Sequence, residues 1–95
     1  MNKSELTQRL AKQQDLPVKQ AAQIVDVIFA TMSDSLCRGE RVEIRGFGSF
    51  KVKHYGAYRG RNPRTGKLID VEPKKMPHFR PGRELKDRVD TLKKG

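Results

Sequence analysis

The chain has 95 residues, 35% hydrophobic and 34% charged, and its 21 Lys and Arg against 11 Asp and Glu leave a net charge of +10. That length suits one domain, and so basic a balance gives a surface that draws polyanions, nucleic acid first among them. With one cysteine, Cys37, neither an internal disulfide nor a multi-cysteine metal site is possible; no apolar run approaches the ~20 residues of a membrane span, and no signal-peptide pattern is visible.

"NKSELTQRLAKQQ" opens a helix. Asn2 is placed to cap it, Glu5 follows at capping-box spacing, and Leu6 and Leu10 share a face. "DLPVKQAAQIVDVIFATMSDSLCRG" predicts a long helix over about Val18 to Arg38. Pro17 suits its first turn, Ala21, Ala22, Val25, Ile28, Phe29, Met32 and Leu36 recur at three and four, and Gly39 stops it. Cys37 reads as a small buried residue. In "ERVEIRGFGSFKVKHY" the period changes to two: Val42 and Ile44 alternate with Arg41, Glu43 and Arg45, and Phe50 and Val52 with Ser49, Lys51 and Lys53. "RGFG" between them reads as a tight turn. "GFGSFK" is not a dinucleotide loop, because Lys51 holds its sixth position and no helix pattern follows.

Beyond Lys53 the apolar alternation weakens. A two-stranded ribbon fits, outward from about Phe50 to Arg59, turning in "GRNPRTG" and returning from about Lys67 to Glu72. "KKMPHFRP" rejoins the body with Phe79 as anchor. "PGRELKDRVDTL" predicts a final helix with Leu85, Val89 and Leu92 on one face and a Glu84–Arg88 pair at i,i+4. The expected class is α+β, a single domain over 1–95, with a helical segment over 1–39, sheet and β-arm over 40–80, and a C-terminal helix over 81–95.

The ribbon adds almost nothing to a core, which leaves roughly 70 residues for the body, a size that needs staples or a partner. Phe29, Phe47, Phe50 and Phe79 carry large apolar area with no disulfide to help. A core shared by two chains is the simplest solution; an unusually well-packed monomer is the alternative.

Charge gathers around the ribbon. Residues 53–75 hold Lys53, Arg59, Arg61, Arg64, Lys67, Lys74 and Lys75 against Asp70 and Glu72, a net of +5, where residues 1–52 have a net of only +2. Ten strand residues reach ~33 Å, close to the ~34–36 Å of one DNA turn, so two arms could embrace a duplex. Arg59, Arg61, Arg64 and Lys67 suit phosphates and a narrow minor groove, and Asn62 suits the degenerate minor-groove edge. Pro63, rigid and without an N–H, can wedge between base pairs and kink them; alternatively Asn62-Pro63 only sets a turn.

An enzyme is not expected. His54 and His78 lack a nucleophile partner, and no triad, metal spacing or phosphate loop is present; no cofactor, metal or small-molecule substrate is implied. An RNA reader would offer aromatic stacking platforms, and only Tyr55 and Tyr58 stand in the basic region.

"RGFGSF" (45–50), "GRNP" with "TG" (60–66) and "PHFRPGRELKDR" (77–88), in this order and spacing, resemble the HU/integration host factor family of bacterial DNA-bending proteins. The resemblance covers essentially the whole chain. It implies an intertwined dimer with a helical base, an antiparallel sheet saddle and two protruding β-ribbon arms in the minor groove of double-stranded DNA, with Pro63 intercalating once per arm. Arg59, Arg61, Asn62, Pro63, Arg64 and Lys67 match the arm; Lys3, Lys74, Lys75, Arg80, Arg83 and Lys86 fall where the body and final helix can meet phosphates. Glu43 and Arg45 match the pair the host-factor branch uses near its specific site; a plain exposed cross-strand role is the alternative. The second chain is then a copy of itself or an alpha-type chain of an integration host factor, and the place the cytoplasm, on the bacterial nucleoid, in recombination and transcription regulation. An HU-like homodimer with little sequence preference is the other reading. The neutral stem "GAY" (56–58) departs from the family's more basic arms.

Overall fold

The structure, a computed structural model, describes residues 1–93, and side chains as far as Thr91. Helices α1 (Lys3–Gln13) and α2 (Val18–Cys37) form a helical hairpin. Asn2 caps α1 as its spacing predicts: Oδ1 accepts from the Glu5 amide at 2.9 Å, satisfying one of the orphan donors of the first turn. Pro17 stands one residue before α2, its carbonyl accepting from the Ala21 amide at 3.0 Å. Arg38 is the cap of α2 rather than its last residue. Cys37, expected to be buried, is exposed. One helical step turns it ~100° from Leu36, the last half-buried residue of the stripe.

A three-stranded antiparallel sheet follows, built from β1 (Val42–Ile44), β2 (Gly48–Tyr55) and, after an excursion, β5 (Lys74–Pro81), in the order β1-β2-β5. The "RGFG" turn closes with the Phe47 amide donating to the Ile44 carbonyl at 3.0 Å. The excursion is a second ladder of β3 (Tyr58–Arg61) and β4 (Leu68–Val71). The ribbon expected to run unbroken from Phe50 is therefore two ladders. The first ends at Tyr55↔Lys74 and the second begins at Tyr58↔Val71. Gly56 and Ala57 face Glu72 and Pro73 across the gap. Pro73 has no N–H to donate and Gly56 has no side chain to pack, the two residues that most weaken a strand interior. From Tyr55 to Asn62 the free arm spans about 23 Å at 3.3 Å per residue, shorter than the expected reach.

Helix α3 (Arg83–Lys93) leaves the end of β5, the Lys86 amide donating to the Gly82 carbonyl at 3.0 Å. Its i,i+4 ion pair is Arg83–Asp87 at 3.9 Å, not the expected Glu84–Arg88. Glu84 instead lies over the turn at Gly46, where its Oε2 would sit 3.2 Å from an added Cβ. Of the expected apolar face, Leu85 is half-buried and Val89 exposed; the Leu92 side chain lies outside the described residues, as do residues 94–95.

Strand register sorts the sheet into two faces, because successive side chains alternate. Rows Val42↔Phe50↔Phe79 and Ile44↔Gly48↔Pro81 share one face with Val52↔Pro77. Phe79 lies 5.4 Å from Phe47 and 4.8 Å from Phe50 between ring centroids, distances typical of tilted aromatic pairs. Among the described residues the buried apolar ones are nevertheless only Ala11, Ala21 and Val25, and no large side chain is fully buried. Phe29 and Phe47 are each 43% exposed. The radius of gyration is 19.1 Å, against about 12 Å for a compact chain of this length.

Gly48 has no room for a side chain beside β5. A Cβ there would lie 2.6 Å from the Arg80 carbonyl oxygen and 2.7 Å from a Phe79 ring carbon. Gly48→Ala is expected to cost roughly 1–3 kcal/mol by forcing the ladder apart, read as a lower urea midpoint. Gly56→Ala, with nothing within 4 Å, should stay within about 0.5 kcal/mol of the parent.

Candidate nucleic-acid interface

The opposite face of the sheet is basic. Its rows are Glu43↔Ser49↔Arg80, Lys51↔His78, Lys53↔Met76 and Tyr55↔Lys74. Four cations, Lys51, Lys53, Lys74 and Arg80, therefore share one surface with a single carboxylate, Glu43. Lys51 and Lys53 are not among the contact residues that the motifs single out. Their signal is nonetheless present in "SFKVKHY", where both alternate with Phe50 and Val52 and so must face away from the apolar side. Lys75 falls the other way. Paired with His54, it belongs to the face of Val52 and Phe79 and lines an apolar hollow with Leu36, Cys37, Val52 and Pro77. Lys74, one residue earlier, lies over the Tyr55 ring at 5.9 Å, within cation–π range.

At the end of the sheet nearest the "RGFG" turn, Arg41, Glu43, Arg45, Arg80 and Arg83 line one open cleft. Glu43 approaches Arg41 at 3.9 Å. The cleft lining thus carries four guanidinium groups to one carboxylate, with Glu84 close by over Gly46 and Asp87 paired to Arg83. Glu43 and Arg45 line the same cleft, but the ion pair Glu43 makes there is with Arg41, a residue the sequence motifs do not single out. Lys3 lies on the helical hairpin rather than on this sheet face, exposed and paired with Asp26 of α2 at 2.6 Å. Lys86 lies on α3, beside a hollow formed by Phe79, Pro81, Leu85 and Val89.

The arm has its own two faces. Tyr58, Gly60, Ile69 and Val71 occupy one; Arg59, Arg61, Leu68 and Asp70 the other. The tip between them is closed by main-chain bonds: the Asn62 amide donates to the Lys67 carbonyl and the Gly66 amide to the Asn62 carbonyl, both at 2.8 Å. Asn62 Oδ1 accepts from the Arg64 amide at 2.9 Å, an Asx-turn, and Thr65 Oγ1 accepts from the Lys67 amide at 3.3 Å. Gly66 takes φ of 69°, a conformation glycine adopts without penalty. Arg61 reaches round the loop to donate from Nη1 to the Gly66 carbonyl at 3.3 Å. Asn62 therefore shapes the turn with an oxygen that residue type alone would assign to a base edge. These bonds hold Pro63 exposed at the end of the arm, flanked in sequence by Arg61 and Arg64. Arg59 is engaged, its Nε donating to Asp70 Oδ1 at 3.1 Å. Arg64 and Lys67 form no ion pair among the described residues.

No helix among the described residues is long and apolar enough to cross a membrane. The family model described as bacterial DNA-binding protein matches residues 1–90. The chain is 53% identical over 93 residues to integration host factor subunit beta of Idiomarina loihiensis, covering 97% of this chain and 99% of that protein. It is 46% identical over 89 residues to DNA-binding protein HU of Staphylococcus aureus, covering 94% and 99%. Among solved structures, Anabaena HU in a co-crystal with DNA superposes with a TM-score of 0.84 at 30% identity, covering 94% of this chain and 97% of that one.

Proposed function

The chain belongs to the family of bacterial DNA-binding proteins, and from that premise we propose that it bends duplex DNA, laying its arms in the minor groove and driving Pro63 between base pairs. The observation that carries this reading is the tip. A rigid, exposed proline is presented by five hydrogen bonds at the end of a basic ribbon, where a plain turn would have no need of flanking arginines. Wedges of this kind unstack one step and kink the duplex. Lys51, Lys53, Lys74 and Arg80 on the saddle then meet the phosphates of the bent DNA, and the cleft of Arg41, Arg45 and Arg83 extends that track.

The working unit is two chains folded as one domain each. Phe29, Phe47 and Phe79, at least a third exposed, support a core completed by a second subunit. The identity to integration host factor beta subunits, with Glu43 and Arg45 in one cleft, favours pairing with an alpha-type chain and partial site selectivity, in recombination, transcription regulation and nucleoid organisation. The similar match to HU sustains a second reading, a homodimer of low selectivity.

The test is a duplex labelled at both ends. Adding the purified chain should raise energy transfer between the labels, and the mass of the protein in solution should be that of two chains. Binding without increased transfer would refute bending; a folded monomer at micromolar concentration would refute the shared core. Competition between a host-factor consensus site and random duplex separates the two readings.

A further inference from the structure

Asp70 is the single acidic residue of the outer arm, which carries Arg59, Arg61, Arg64 and Lys67. It stands directly opposite Arg59 in the ladder and accepts from Arg59 Nε at 3.1 Å. Both side chains are mostly solvated, Arg59 at 73% and Asp70 at 81% exposure, and such a pair contributes little to folding. Its effect lies in what it does to the arm's charged face. A carboxylate on the face that carries Arg59 and Arg61 occupies one guanidinium and would itself repel a phosphate placed there.

We propose that Asp70 is a negative determinant of affinity: by engaging Arg59 it weakens the arm's sequence-independent hold on phosphates. Binding then depends more on the wedge at the tip and less on charge. Specificity gained by a repulsive element rather than an added contact is a general device. The inference rests on the DNA-binding reading above, and it adds a residue that opposes binding to those that favour it.

The measurement is the affinity of the full-length protein for intact random-sequence duplex across a salt series. Asp70→Asn should bind roughly tenfold tighter at low salt, with a log–log salt slope steeper by about 2, one further phosphate neutralised per arm of a dimer. Asp70→Glu, which keeps the charge, should match the parent. In an Arg59→Gln background most of the gain from Asp70→Asn should vanish, because Asp70 acts through Arg59. An unchanged melting temperature for each variant shows that the arm change leaves the body folded. Unaltered or weaker binding by Asp70→Asn, or a full gain without Arg59, overturns the proposal. A parent protein that does not bind duplex at all overturns this inference and the proposed function together.

Discussion

Pro63→Ala is expected to remove most of the bend while leaving most of the affinity. Side-chain wedges kink DNA by roughly 20–90° at the cost of unstacking a base step. Without the pyrrolidine ring neither the kink nor that cost arises, so the two changes offset each other in affinity and not in shape. Energy transfer across an end-labelled duplex should fall toward that of free DNA, while the dissociation constant shifts by less than about tenfold. The tip should survive the substitution. None of its five bonds uses Pro63: they run between Arg61, Asn62, Arg64, Thr65, Gly66 and Lys67. An unchanged bend in a variant that still binds would leave Pro63 as a turn residue and no more.

The second large effect is that of salt. If a pair of chains neutralises roughly ten phosphates, the slope of log affinity against log salt should be about −9, a loss of roughly 10⁵ between 50 and 200 mM. The saddle supports a number of that order, since Lys51, Lys53, Lys74 and Arg80 add four cations per chain to those of the arm. A slope near zero would contradict the electrostatic account. Lys51→Gln and Lys53→Gln should each flatten the slope by about 2 per dimer, and Lys75→Gln, on the other face, should flatten it less.

Local signals carried the helices well. Asn2 and Glu5 marked a cap that the structure contains, and the three-four recurrence from Ala21 to Leu36 placed α2 to within a residue. Alternation also predicted the faces of β1 and β2. What it could not supply was register. Lys74 and Lys75 are adjacent in sequence, and only the pairing of β5 with β2 decides which of them joins the basic side, because a slip of one residue exchanges the faces. The Arg59–Asp70 bond has the same origin: its partners are eleven residues apart, and the length of the tip loop sets them opposite one another. The break at Gly56 and Pro73 is written in the sequence, but alternation on both flanks suggests a ribbon running straight through it.

That break has a consequence for how the chain can change. Among residues 58–71 only Gly60, Asn62 and Val71 are even half-buried, and the interrupted ladder separates them from the strands that hold the body together. Folding therefore imposes few demands on this segment beyond its turn. A new tip or a different spacing of cations could be exchanged into it with the helices and saddle left intact. The molecule divides its sequence into a region constrained by its own structure and a region free to be shaped by whatever it holds.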